Sequence, residues 1–130
     1  MGKCAMYFGH YLQKRRECPR CGYKRQVFEE KMTDVNIAVE MMADVQRDRF
    51  DTALLISADS DLTPPAMKIK ELFENKKVVA AFPPKRASQR LASVVDGHFT
   101  IGRGKLSKSL LPKTVEKSDG ITISRPNRWR

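Results

Sequence analysis

The chain has 130 residues, with 25 Lys plus Arg against 15 Asp plus Glu, a net charge of +10 and 41% hydrophobic residues. That length and apolar share predict one domain with a modest core and exclude wholesale disorder. The longest apolar stretch falls far short of the roughly 20 residues a membrane-spanning helix needs, and the N-terminus has no apolar signal core and Met6 where myristoylation wants Ser or Thr, so the expectation is a cytoplasmic protein with no membrane partner.

Charge is unevenly distributed: residues 1–32 carry a net +5, residues 33–100 a net −1, and residues 101–130 a net +6. Basic flanks around a balanced middle predict a polyanionic partner, nucleic acid ahead of an acidic membrane, against the simpler reading of a solvated surface. No repeat recurs at periods of 20–50 residues. The chain therefore divides into a basic N-terminal segment (1–25), a core (26–101) and a basic tail (102–130).

In the first segment, Tyr7, Phe8, Gly9 and Tyr11 precede a basic run, and strands and loop are expected. The turn Cys18-Pro19-Arg20-Cys21-Gly22 follows. Three cysteines cannot all pair within one chain, and this spacing is a metal or redox spacing more than a secreted disulfide framework. It resembles one half of a zinc knuckle, so Cys18 and Cys21 are candidate Zn²⁺ ligands. Four ligands are needed, and only Cys4, His10 and His98 remain; two reduced thiols in a turn are the simpler alternative. No helical pattern follows Cys21 to lower a thiol pKa, which weakens a redox role.

Thr33 is a plausible N-cap, and Val35, Ala38, Val39, Met42 and Val45 recur at helical spacing to about residue 49. On that helix Asn36, Glu40 and Asp44 form a polar stripe expected in solvent, while Asp34 lies in line with Ala38, Met41 and Val45. A carboxylate on the apolar face is unusual. The run 52–57 is continuous, as in a strand buried on both faces, and ends at Ala58-Asp59-Ser60-Asp61. Thr63 with Pro64 opens a second helix to about residue 75, with Met67, Ile69, Leu72 and Phe73 for the core, and residues 77–82 form a second buried strand. Strand, helix, strand of this kind predicts a βαβ unit with parallel strands and a right-handed crossover. A short helix at 88–95 and a strand at 98–101 follow. The tail shows little periodicity beyond a short strand at 121–124. Trp129, among Arg125, Arg128 and Arg130, is a candidate for stacking on a base or for docking on the core.

In open α/β sheets ligands gather at the carboxyl ends of the strands, where Asp59 and Asp61 stand, with Pro83-Pro84-Lys85-Arg86 at the same end of the next strand. Hard divalent cations take carboxylate oxygens, and a metal at such a rim can activate water and stabilise charge on a phosphodiester. Each acid alone has a simpler reading, as a helix-dipole partner for Asp34 or a cap for Asp59 or Asp61. Asp-x-Asp is also shared with sugar-nucleotide transferases. His98 reads as a strand residue.

The stretch Glu29-Glu30-Lys31-Met32-Thr33-Asp34-Val35-Asn36-Ile37-Ala38-Val39, followed by Asp51-Thr52-Ala53-Leu54-Leu55-Ile56-Ser57-Ala58-Asp59-Ser60-Asp61-Leu62, closely resembles the NYN domain family of PIN-like nucleases. Residues 77–82, Ser88, Leu91 and Asp96-Gly97-His98-Phe99 look like its closing pattern. The resemblance implies a PIN-like three-layer α/β fold with a mostly parallel central sheet. It also implies a Mg²⁺- or Mn²⁺-dependent ribonuclease site in which Asp34, Asp59 and Asp61 hold metal and act in catalysis, with Lys85, Arg86 and Arg90 gripping the phosphates of RNA. Glu40 stands where many members have a second helix Asp, but its place in the polar stripe leaves it out of the expected site. The family ordinarily begins with a strand ending in Asp-Gly-x-Asn, which no position here matches, so the N-terminal part of the fold is expected to be incomplete. An uncovered sheet edge invites pairing with another chain, which makes a homodimer an expectation. A catalytically inactive RNA-binding or protein-interaction module is the alternative to the nuclease.

Overall fold

A computed structural model describes residues 4–117 and 119–127. In chain order they form β1 (His10–Glu17), β2 (Lys24–Lys31), α1 (Thr33–Gln46), β3 (Thr52–Leu55), a 3₁₀ turn (Ser60–Leu62), α2 (Thr63–Leu72), β4 (Lys77–Phe82), α3 (Gln89–Ala92), β5 (Gly97–Thr100), α4 (Arg103–Lys108), β6 (Thr114–Glu116) and β7 (Thr122–Ser124). The central sheet has the order β3-β4-β5 and is wholly parallel, with Leu55 opposite Ala80 and Val79 opposite Gly97. Two separate antiparallel hairpins, β1–β2 and β6–β7, complete a mixed α/β architecture. No helix among the described residues is long and apolar enough to cross a membrane.

The βαβ expectation holds because β4 is flanked on both sides and shielded from water at four of its positions, Val78, Ala80, Ala81 and Phe82. Around it pack Val45 of α1, Leu55 of β3, Leu62 of the 3₁₀ turn, Ala66 and Ile69 of α2, and Leu91 of α3. Asp96 ties the sheet to α2: its Oδ2 accepts the Val78 N–H at 2.8 Å and its Oδ1 meets Lys70 Nζ at 3.1 Å. Lys76 closes the lower corner by pairing with both Asp48 and Asp51.

Several details differ from the sequence reading. Strand β3 is an edge strand, not one buried on both faces: Leu54 and Ile56 are more than half exposed. The periodicity of α1 picks the wrong side at two positions, since Val35 and Val39 face solvent while Ile37, Met41 and Val45 turn inward. Met67 and Leu72 of α2 are likewise exposed, whereas Ile69 is buried and Phe73 packs against the core as expected, joined by Ala66. Thr33 is not the cap of α1. Met32 precedes the helix with φ of 82°, and Thr33 lies in the first turn, donating its N–H and hydroxyl to Glu30 Oε1. The tail holds a helix, α4, and a complete hairpin rather than one strand. Trp129, Arg128 and Arg130 lie outside the described residues.

The β1–β2 hairpin stands apart from this core. Every residue of β1 is exposed, and β2 is little better covered. At its base Gly9 passes so tightly over the β2–α1 junction that a Cβ there would lie 2.6 Å from the Lys31 carbonyl oxygen. The chain's accessible surface is 10987 Å², against about 7,000 Å² for a compact monomer of this mass.

Candidate functional site

The carboxyl ends of β3 and β4 make one rim because the strands are parallel. Leaving β3, the chain turns through Ala58 into the 3₁₀ turn. Asp59 caps that turn, its Oδ1 accepting the Asp61 N–H at 2.9 Å, while Ser57 Oγ accepts the Asp59 N–H at 3.1 Å. The simpler reading of Asp59 as a cap is therefore realised, though on the 3₁₀ turn, and it leaves one carboxylate oxygen uncommitted to that bond. Helix α1 packs against the same turn and brings the half-buried Asp34 to it.

The three acids share a field. Burial pushes the Asp34 carboxyl above the usual carboxylate range, and the negative charges of Asp59, Glu30 and Asp61 push it further. Glu30 belongs to this patch although sequence reasoning gave it no role; its place in Glu29-Glu30-Lys31, just before the helix acid, was the available signal. Among the described residues no three His, Cys, Asp or Glu side chains converge closely enough to hold a metal ion by themselves. The donor set is nonetheless all hard oxygen, which suits Mg²⁺ or Mn²⁺ in the water-rich mode that uses one or two carboxylates directly.

Lys85 and Arg86 occupy the loop that leaves the carboxyl end of β4, and Arg90 lies in the single turn of α3 that follows. All three are exposed, and none enters an ion pair among the described residues. Lys85 takes a left-handed backbone conformation, φ 61°, in the turn that carries the chain from β4 toward α3. Ser88 then caps α3, its Oγ accepting the Leu91 N–H at 3.2 Å, which sets Leu91 into the core and leaves Arg90 outside.

The polar stripe of α1 is not simply solvated, as the helical wheel suggested. Asn36 Nδ2 donates to the Phe8 carbonyl at 3.3 Å, and the proximity of Glu40 to the Tyr7 hydroxyl raises the tyrosine's pKa. Segment 7–9 thus runs along α1 in the opposite direction. Between it, α1 and the unpaired edge of β3 lies an open cavity of about 440 Å³ lined by Tyr7, Glu40, Ala53 and Leu54. Glu40 faces that cavity.

Cys18 and Cys21 lie at the tip of the hairpin, far from the acids. The Gly22 N–H donates to the Cys18 carbonyl and the Cys18 N–H to the Tyr23 carbonyl, both at 2.9 Å, with Gly22 at φ 68° making the reversal. The backbone N–H groups of Arg20 and Cys21, followed by the Cys21 thiol, act on the Cys18 sulfur and hold its pKa below the usual thiol value. The sequence reading, which saw no helix to depress a thiol here, missed this turn-based source. His98 is confirmed as a strand residue, its ring 5.6 Å from that of Phe82.

The NYN domain model matches residues 10–107, from the first hairpin through α4. The chain belongs to the NYN domain family. That family is part of the PIN-like superfamily, and membership points to a nuclease-like, RNA-related function. Among solved structures, a protein of unknown function from Vibrio parahaemolyticus is similar at 24% identity and a TM-score of 0.49, over 69% of this chain and 48% of that one. The chain spans about half the length of that protein. No curated protein matches it.

Proposed function

We propose that this NYN domain has a PIN-like fold and is a Mg²⁺- or Mn²⁺-dependent ribonuclease, with Asp34, Asp59 and Asp61 as the acidic site and Lys85, Arg86 and Arg90 receiving the RNA backbone. The observation that supports the reading is that acids from two separate motifs, α1 and the end of β3, lie near enough for Asp59 and Asp61 to raise the Asp34 pKa, while Lys85 and Arg86, in no ion pair among the described residues, follow the carboxyl end of the neighbouring strand. Such an acidic patch repels an RNA phosphate unless a cation intervenes. The ion, when bound, supplies charge neutralisation and an activated water. The protein's part is to hold the carboxylates. Asp59 is fixed by the Asp61 N–H, and Asp34 by its place in the first turn of α1. The buried Thr63 hydroxyl, two residues after Asp61, has no hydrogen-bond partner among the described residues, so a water at this end of the sheet would complete it.

The test is cleavage of labelled single-stranded RNA by the full chain in Mn²⁺, in Mg²⁺ and in EDTA. The expected result is cleavage that requires the ion and falls at least roughly 100-fold in Asp59→Asn, a change that keeps the Oδ1 cap acceptor. A second reading, an RNA-binding module without catalysis, is favoured by the absence of a closed three-ligand cluster among the described residues. It predicts salt-sensitive RNA binding in EDTA, no cleavage under any condition, and no effect of Asp59→Asn, whereas alanine at Lys85, Arg86 and Arg90 weakens binding.

A further inference from the structure

The hairpin tip carries chemistry that the acidic site does not use. Two thiols, Cys18 and Cys21, sit on a turn closed by the Cys18–Gly22 and Cys18–Tyr23 backbone hydrogen bonds, with Pro19 and the positive φ of Gly22 shaping the reversal. Two cysteines three residues apart on a tight turn present paired sulfurs of the kind that bind soft or borderline metals. A tetrahedral Zn²⁺ site needs two more donors. The three that the sequence left open are removed by the fold. His10 opens β1, eight residues before Cys18 and roughly 25 Å away along an extended strand. Cys4 lies three residues before Tyr7, which borders the cavity beside α1, at the far end of the hairpin from the tip. His98 is held in β5 against Phe82.

We propose that Cys18 and Cys21 form half of a Zn²⁺ site that is completed by the same two residues of a second copy of this chain, so that one ion joins two hairpin tips. Three features favour a second copy. The hairpin is exposed along most of its length, so two tips can meet without their cores colliding. Four thiolates around one Zn²⁺ leave a net charge of about −2, and Arg20 in the turn and Arg25 beside it stand to offset it. An isolated two-stranded hairpin is marginally stable in water. A metal that joins the turns of two hairpins supplies the kind of neighbour that sheet strands have elsewhere.

The experiment uses the full chain, metal-free and kept reduced, titrated with Co²⁺ and then Zn²⁺ while absorption and sedimentation are followed. The expected result is a tetrahedral four-thiolate Co²⁺ spectrum that saturates at one ion per two chains, a doubling of mass with the same stoichiometry, and reversal by chelator. Cys21→Ser abolishes both signals, while Cys4→Ser leaves them intact. Asp59→Asn also leaves them intact, so this result is separate from the fate of the nuclease reading. Saturation at one ion per chain without a change in mass, a spectrum of mixed nitrogen and sulfur ligands, or a dimer that persists in Cys21→Ser would overturn the proposal.

Discussion

All eight residues of β1 are exposed, whereas four of the six in β4 are buried. Both are strands of ordinary length, yet they are stabilised by different physics. In β4 the hydrogen-bond ladders run to β3 on one side and β5 on the other, and apolar burial against α2 supplies the driving force. In the β1–β2 hairpin almost nothing is removed from water. Its arms are held by their own ladder and by Glu29, which takes 2.7 Å and 2.9 Å bonds from Lys14 and Arg16 and a 3.4 Å contact from Lys31. The core is a packed unit around which the acidic rim is built; the hairpin is a charged arm whose geometry depends on its base and its turn.

That contrast predicts how variants divide. The largest effect belongs to the core: Ile69→Ala, at a site with no solvent exposure, should cost about 2–5 kcal/mol. Thermal unfolding followed by circular dichroism should show a drop of more than roughly 10 °C in Tm. A loss under about 1 kcal/mol would mean that the core repacks freely and that the contrast is overdrawn. Next comes the base of the arm. Gly9→Ala forces a methyl group against the Lys31 carbonyl and the Thr33 hydroxyl, and should cost about 1–3 kcal/mol, seen as a lower midpoint in urea.

Effects within the arm should be local. The Lys14 and Arg16 hydrogen bonds hold the Glu29 pKa down, from the usual 4.5 to about 2. A folded value below the unfolded one means that the contribution is complete above about pH 4.5 and is lost as pH falls toward 2. Amide hydrogen exchange should therefore show β1 and β2 losing protection across that window ahead of β4, and Glu29→Gln should bring the same loss at neutral pH without changing exchange in the core. Equal loss in both regions would make arm and core one cooperative unit.

The smallest effect reverses the usual sign. The Asp34 carboxyl is raised above its ordinary 3.8, first by burial and then by its acidic neighbours. For an acid with a raised folded pKa, the ionised form opposes folding at neutral pH, and the penalty disappears as pH falls through the folded value toward 3.8. In metal-free buffer Asp34→Asn should raise Tm by about 1–3 °C at pH 7, with the difference vanishing at low pH. A site residue whose neutralisation stabilises the fold is held there for function, so a lowered Tm would indicate a structural role instead.

Two continuous apolar runs, the helical spacing between them, Pro64 at a helix start and the spacing of acids sufficed to read the βαβ unit, the parallel sheet and the placement of Asp59 and Asp61 at the end of a strand. These are local signals, and each depends on a period or a turn that the chain carries within a few residues. The side of α1 that would be buried was not legible, because Val35 and Ile37 are equally apolar and the choice depends on what packs opposite. Likewise β3 looked like a strand buried on both faces, since Leu54 and Ile56 are apolar whether or not a neighbour covers them; only assembly shows that its outer edge borders a cavity with Tyr7 and Glu40. The inclusion of Glu30 in the acidic patch and the separation of Cys18 and Cys21 from His10 and His98 are of the same kind. Sequence spacing limits how far apart residues can lie, whereas burial, mutual repulsion and shared ligands depend on distances that exist only once the helices are docked on the sheet.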